Sequence, residues 1–548
     1  MRARARPGDD ARVAVGFVLL VVLQLALLSP AGEFPLNDDW SHTLTVERFV
    51  TRGQFYYPAW LSASSYVSIA VGIALSSVWG FSFALLRSSN LLFAFASVAL
   101  FHALLRSQGR SLPASVCGAL LLWWNPLSFS LGYTFMTDVP TLFFVVLSLF
   151  CYHRGFQSGR DRWFLAGSLA SVIACLDRQV GILPLLAAAP IIAARRGPGR
   201  VSRLGVCLAP LAAGAALIAW LRSSSALPAE AGNHFVVFDS TFPHTAMVSV
   251  WQMGLLCCFS ILPATAALLA GNPGWLRARS LWLWLLLALL AGGVAAATGH
   301  LFPAGNIINV SGLGPARPVL QGDVPPWGDP SLYRVLNFVL FVALAVNAHL
   351  VAAELRNRGR PGQDAETRFL CLLAALGAAS LVIVHSFDRY LLLFLPLLLL
   401  WSARLLDRYR WSRATFAVLV LGMALYSLVG TTNYLAWSRA RWHLGEWLLE
   451  SGIARIDQLE GGYEWDGWHL YATTRETPSG PSEPFPAPWW VRRLYPGHTM
   501  EYVLSFSPLA GYDVVSVEPV QGRFSNLRAI YAVRRKPAAS SRDPIRGP

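Results

Sequence analysis

The chain has 548 residues, 55% of them hydrophobic and only 14% charged, with a mean hydropathy of +0.47. A soluble globular protein carries about 25% charge, so a wholly soluble domain is excluded. The formal net charge of +14 does not mark a nucleic-acid binder, because the basic residues lie in short clusters between apolar runs, as in cytoplasmic loops of membrane proteins.

The first apolar run, 13–28, follows Arg2, Arg4 and Arg6. No small-residue cleavage site follows it, so it reads as an uncleaved first helix that starts in the cytoplasm. Basic clusters at 106–110, 154–162, 195–203, 277–279, 356–368 and 404–413 are assigned to the cytoplasm. The alternate loops, 31–87, 132–138, the turn at 177, 223–244, 300–332 and 385–389, then face outward. This solution needs about thirteen spans of roughly 20 residues each.

One segment decides the count. The stretch 66–81 is short and, with its flank, carries Ser64, Ser65, Ser68, Ser76 and Ser77. It reads as an interfacial helix on the outer face, which leaves 86–105 as the second span. The outward loop 300–332 is rich in Gly and Pro and is expected to be irregular, a candidate lid. The last span covers 415–430. Beyond it the composition changes: 434–451 reads as an amphipathic helix, and 502–506, 512–517 and 529–533 as strands. The expected fold is mainly α. A polytopic membrane domain occupies 1–431, with its first outward loop at 31–86. A small α/β extracytoplasmic domain occupies 432–536, and 537–548 is a disordered tail.

The seven cysteines lie in or beside apolar runs. They form neither a disulfide framework nor a CxxC metal pattern, and read as apolar packing residues. His42, His234, His244 and His300 form no recognisable metal pattern. Lys536 is the only lysine; heavy use of Arg, Ala, Leu and Gly fits a bacterium with a GC-rich genome. The 21 Trp suit two interfacial belts.

Five features could carry chemistry. Asn37-Asp38-Asp39-Trp40 follows the first span. Two adjacent carboxylates at an interface repel, which can raise one pKa, and such a pair suits a general base or a cation site. The same dipeptide also fits an N-cap before a helix at 41–50. Phe135-Met136-Thr137-Asp138-Val139-Pro140 puts an acid at a span boundary, where it must be wet or paired. Cys175-Leu176-Asp177-Arg178-Gln179 is a charged break between apolar runs. Arg178 could bind a lipid phosphate, with Asp177 neutralising it. His385-Ser386-Phe387-Asp388-Arg389-Tyr390 precedes a Leu-rich run with Pro396, and Arg389 is a second phosphate candidate or an interfacial snorkelling residue. Gly461-Gly462-Tyr463-Glu464-Trp465-Asp466-Gly467-Trp468 could meet a sugar, and reads more simply as a turn and an aromatic core strand.

Order and spacing of these residues resemble the polytopic glycosyltransferases of the GT-C fold, of glycosyltransferase family 39, which include the protein O-mannosyltransferases and the lipid A aminoarabinose transferases. The resemblance runs from Asp38-Asp39 through Arg52-Gly53-Gln54-Phe55-Tyr56-Tyr57-Pro58 and Trp79-Gly80-Phe81 to Leu86-Arg87-Ser88. It continues at Asp138, at the basic turn of Arg178, and at Arg389-Tyr390. The sequence departs from the family in having Asp39 where many members have Glu, followed directly by Trp40. The resemblance covers 12–430 and not the C-terminal domain. It implies an inverting transferase that moves a hexose or pentose from a polyprenyl-phosphate donor to a hydroxyl or amine of a protein, lipid or glycan. It further implies Asp38 as base and Asp39 beside it, Arg87, Arg178 and Arg389 on the donor phosphate, and Asp138 and Tyr390 as positioning residues. Asp39 and Asp138 could hold a divalent cation. The location implied is the outer face of a bacterial cytoplasmic membrane. The rival reading is a lipid-linked sugar flippase or transporter using Asp138, Asp177 and Arg178. Clustering of the charges at one face and the lack of half-repeats weigh against it. A third is a non-catalytic assembly or sensor protein.

Overall fold

A computed structural model describes residues 7–58, 60–61, 64–194, 200–223, 242–315, 319–357, 364–383, 387–474, 488–494, 500–522 and 525–536. Most of the loop expected to face outward at 223–244, with His234, lies outside the described residues, as do His385 and the tail at 537–548. The chain divides into two units. The first is Met1–Glu33, Ser41–Gly314 and Gly328–Thr432; the second is Phe34–Trp40, Pro315–Trp327 and Asn433–Pro548.

The first unit is that of a multi-pass membrane protein. Among the described residues eight helices are long and apolar enough to cross a membrane, or ten if each of two bent pairs counts as one span. The bends are 55° at Asn125-Pro126 and 63° before Pro263, where proline removes a helix hydrogen bond. The other predicted crossings fall on Asp161–Asp177, Leu183–Ala194 and Leu395–Arg408, each under the length that spans about 30 Å of hydrocarbon. The charged turns at Arg178 and Asp388 shorten them. The helix Gly8–Leu27 has only 6% of its apolar window buried, whereas Asp138–Ser158 has 72%; the first presents its apolar face outward and the second is central. Asp138–Ser158 packs on Asp161–Asp177 through glycine contacts, with a ring over each. A Cβ at Gly155 would lie 2.9 Å from the Phe164 ring, and one at Gly167 3.1 Å from Tyr152. Small residues here let the helices approach closely.

The segment 31–86, expected to face outward, contains two helices, Asp39–Arg52 and Tyr66–Trp79. Gly53 at φ +66° ends the first and Gly80 at φ +83° ends the second, donating to Phe49 and Ser76 carbonyls at 2.9 Å. Both glycines take backbone that side chains avoid. The second span runs Phe83–Ser107. Within 300–314 the expected irregular loop contains a short antiparallel pair, Ile308–Asn309 with Gly312–Leu313.

The second unit carries a four-stranded sheet in the order Leu459–Glu460, Tyr502–Ser505, Ala529–Arg535, Tyr512–Pro519. The first pair is parallel and the others antiparallel. All three predicted strands are present. Two expectations change. The last span and the amphipathic helix are one continuous helix, Arg413–Glu450, since no Pro interrupts 413–450 and Thr432 returns its hydroxyl to the Leu428 carbonyl. The aromatic motif is not a strand. Gly461 and Gly462 turn the chain out of Leu459–Glu460, and Tyr463–Thr474 is a helix. Alternating aromatics had implied a period of two, but Tyr463, Glu464 and Trp465 are all buried, so no face stays polar. Trp465, Trp490, Val503, Leu504, Ile530 and Val533 form the core of this unit.

Candidate functional site

The acidic pair belongs to the second unit, with the rest of Phe34–Trp40. Asn37 stands at φ +56°, a left-handed conformation that Asn tolerates better than most residues. Its backbone N–H donates to Glu464 Oε1 at 3.0 Å. The two aspartates then part company. Asp39 is 1% exposed and its Oδ1 accepts the Leu36 N–H at 2.6 Å, closing the turn at the start of the helix Asp39–Arg52. Asp38 is half-buried, and its Oδ1 accepts the Tyr463 hydroxyl at 2.6 Å. Of the pair, Asp39 closes the turn before the helix and Asp38 is the one left with access to solvent.

Behind this turn lies a fully buried ion pair. Arg441 Nη1 donates to Glu464 Oε2 at 2.8 Å, with both side chains 0% exposed. Burial pushes the Glu464 carboxyl up, and Arg441 pulls the other way. Nearby, Glu460 and Asp466 are also buried. Glu460 accepts from Gln321 and from the Gly462 N–H, while Asp466 accepts from the Gly461 N–H and the Trp490 indole. Burial pushes Glu460 up to about 7 and Asp466 well above its ordinary value.

In the first unit the structure brings together Asp138, Arg178, Arg389 and Tyr390. Arg178 Nη2 donates to Asp138 Oδ2 at 2.9 Å and Nε to Thr137 Oγ1 at 3.0 Å. Its guanidinium carbon is 5.2 Å from the centroid of the Tyr390 ring, and that of Arg389 is 5.9 Å from the same centroid. Two guanidinium groups on one ring are a cation–π arrangement. Such a cluster suits an anion. Asp138 is fully buried and its Oδ1 has no hydrogen-bond partner among the described residues.

The close ion pair of Arg178 is with Asp138, while Asp177 spends its hydrogen bonds on Ser68. Its carboxylate accepts the Ser68 N–H at 2.9 Å and the Ser68 hydroxyl at 2.8 Å, capping the helix Tyr66–Trp79. Arg178 sits in extended backbone, φ −141° and ψ 129°. Successive side chains there point to opposite sides, so the neighbours diverge. Arg87 is 1% exposed and donates through Nη1 to the carbonyls of Pro30 at 3.2 Å and Gly32 at 2.8 Å. Its Nη1 is thus occupied by the loop at 30–32. Asp388 accepts the N–H groups of Asn306, Ile307 and Ile308, the shortest at 2.7 Å, and organises that loop.

Among the described residues no group of three or more His, Cys, Asp or Glu side chains could hold a metal. The seven cysteines carry no disulfide. Sequence reading passed over Thr137, Arg441 and the Asn37 backbone, and gave Tyr463 and Glu464 a packing role. The available signal was Glu464 itself, a carboxylate between two aromatics in an apolar stretch, which needs a cation.

No family model and no curated protein matches the chain. Solved structures are similar to it at low identity. ArnT from Cupriavidus metallidurans bound to undecaprenyl phosphate is 16% identical over 95% of this chain and 97% of that one, with a TM-score of 0.42. The Archaeoglobus fulgidus oligosaccharyltransferase is 13% identical over 90% of this chain and 64% of its own, with a TM-score of 0.43. In the S. cerevisiae protein O-mannosyltransferase Pmt1-Pmt2 complex bound to the sugar donor, the match is 15% identical at a TM-score of 0.35. It covers 43% of this chain and 36% of that chain, so this protein spans about a third of that relative. At these scores the family has to be argued from the chain's own residues.

Proposed function

We propose that this protein is a GT-C type glycosyltransferase of a bacterial cytoplasmic membrane. It moves a sugar from a polyprenyl-phosphate donor to an acceptor hydroxyl or amine at the outer face, where the C-terminal unit also lies. The observation that carries the reading is the division of labour in the acidic pair: Asp39 is spent on the turn, and half-buried Asp38 remains with a fixed orientation. A carboxylate held in this way suits a general base.

In the mechanism Asp38 takes the acceptor proton. The acceptor oxygen or nitrogen bonds to the anomeric carbon from the face opposite the phosphate. The bond from that carbon to the phosphate oxygen breaks, inverting the centre, and polyprenyl phosphate leaves as an anion. Arg178 and Arg389 stabilise that anion, Tyr390 sets their spacing, and Asp138 orients Arg178. Arg87 is assigned to the loop at 30–32 and not to the phosphate. No step is routed through a metal.

The test is release of polyprenyl phosphate from a panel of radiolabelled undecaprenyl-phosphate hexoses and pentoses in membranes, with cell-envelope extract as acceptor. Wild-type protein releases it and Asp38→Asn does not. Full release by Asp38→Asn removes the base assignment. Movement of labelled lipid between leaflets with no bond cleaved replaces the transferase with a flippase.

A further inference from the structure

The C-terminal unit is the part of the chain least explained by a transferase in the membrane. Its buried side chains nonetheless end on the acidic turn. Glu464 uses both oxygens, one on the Asn37 N–H at 3.0 Å and the other on Arg441 at 2.8 Å. Arg441 is 0% exposed, and its Nε and Nη2 have no partner among the described residues. A buried cation with spare donors is held there by its ion pair with Glu464, which makes the position of that carboxylate stiff. Tyr463 is equally fixed. Its N–H donates to the Val319 carbonyl at 2.8 Å, its ring meets Trp40 edge-on at 6.0 Å, and it is 2% exposed. From that rigid seat its hydroxyl reaches Asp38 Oδ1 at 2.6 Å.

We propose that Tyr463 and Glu464 are positioning residues for the base: Glu464 holds Asn37 in its left-handed conformation, and the Tyr463 hydroxyl orients the Asp38 carboxylate and stabilises its charged form. This rests on the assignment of Asp38 above. A hydrogen bond donated to a carboxylate favours ionisation. The short length, 2.6 Å, is that of a charge-assisted O–H···O⁻ bond. Among the described residues, the titratable and charged groups at this turn are Tyr463, Glu464 and Arg441 from the C-terminal unit, Arg439 over the Phe34 ring at 6.0 Å, and Asp39 from the turn itself. The Glu464–Arg441 pair cancels in charge, and the Tyr463 hydroxyl contacts Asp38 directly.

Tyr463→Phe keeps the ring and removes the donor. Asp38 then ionises at higher pH, so the acid limb of the kcat/KM–pH profile moves up by about one unit. On that limb, at pH below both pKa values, kcat falls about 10-fold while donor KM is unchanged, and well above them turnover matches wild type, read on the same undecaprenyl-phosphate panel. A purely structural role lowers the amount of active protein and leaves the limb where it was, and that result overturns the proposal. If Asp38→Asn turns over like wild type, the base assignment fails instead, and the two failures are told apart. Amide exchange on the unmodified full-length protein is independent of activity: the Asn37 N–H exchanges as slowly as those of Tyr502–Ser505. Fast exchange at Asn37 overturns the proposal as well.

Discussion

Asp138 and Arg178 form an ion pair whose stability role and chemical role can be separated. Asp138 is fully buried and Arg178 is 10% exposed at its side chain, with 2.9 Å between Oδ2 and Nη2. At that distance the attraction is about 6 kcal/mol with an effective dielectric of about 20. Desolvation of both groups offsets much of it, so the pair itself contributes little net stability. Removing one partner is different, because the other charge stays buried: the expected loss for Asp138→Asn is about 3–5 kcal/mol. Replacing both, as Asp138→Leu with Arg178→Met, is expected to bring stability back to within about 1 kcal/mol of wild type. Activity does not return, since the guanidinium beside Tyr390 is gone. The assay is a thermal melt of the purified protein in detergent, paired with polyprenyl phosphate release. An Asp138→Asn variant within about 1 kcal/mol of wild type would refute the ion-pair reasoning, and an active double variant would falsify the role of Arg178 in binding the leaving group.

Arg87→Ala loses bonds to the Pro30 and Gly32 carbonyls and should lower stability by about 1–3 kcal/mol. Donor KM of the folded fraction should stay at the wild-type value; a rise of 10-fold or more would return Arg87 to the phosphate site. Gly467→Ala puts a Cβ 2.5 Å from the Trp40 ring, and overpacking of about 1–3 kcal/mol should appear as a lower melting temperature with reduced turnover. Glu460 and Asp466 supply a pH dependence. Burial raises Glu460 from its ordinary 4.5 to about 7, so the folded state holds a proton that the unfolded chain releases. Stability of the C-terminal unit is therefore fully present below about 4.5 and falls as pH rises through about 7. Amide exchange over Tyr502–Ser505 across that window measures it, and Glu460→Gln should flatten the curve; a wild-type curve rising with pH contradicts the sign.

Much of the framework was legible from local pattern. Apolar runs of span length, the glycines after Arg52 and Trp79, and the alternation in 502–533 are short-range signals. They correspond to Phe83–Ser107, to helix ends at Gly53 and Gly80, and to three strands of one sheet. The acidic turn and the arginines could be picked out because charges beside apolar runs are costly and therefore conspicuous. The motif at 461–468 was misread because its aromatics are buried on every side, which erases the period that separates helix from strand.

Residue order settled which side chains are expensive to bury, and with them the membrane class and the candidate groups. Pairing was decided by the folded chain. Arg178 meets Asp138 and turns away from its neighbour Asp177, because consecutive side chains in extended backbone diverge. Asp38 meets a hydroxyl 425 positions later in the chain, and Arg87 meets carbonyls of the loop before it. A charge announces in one dimension that it needs a partner; which partner arrives depends on long-range packing, and no spacing in the sequence encodes that.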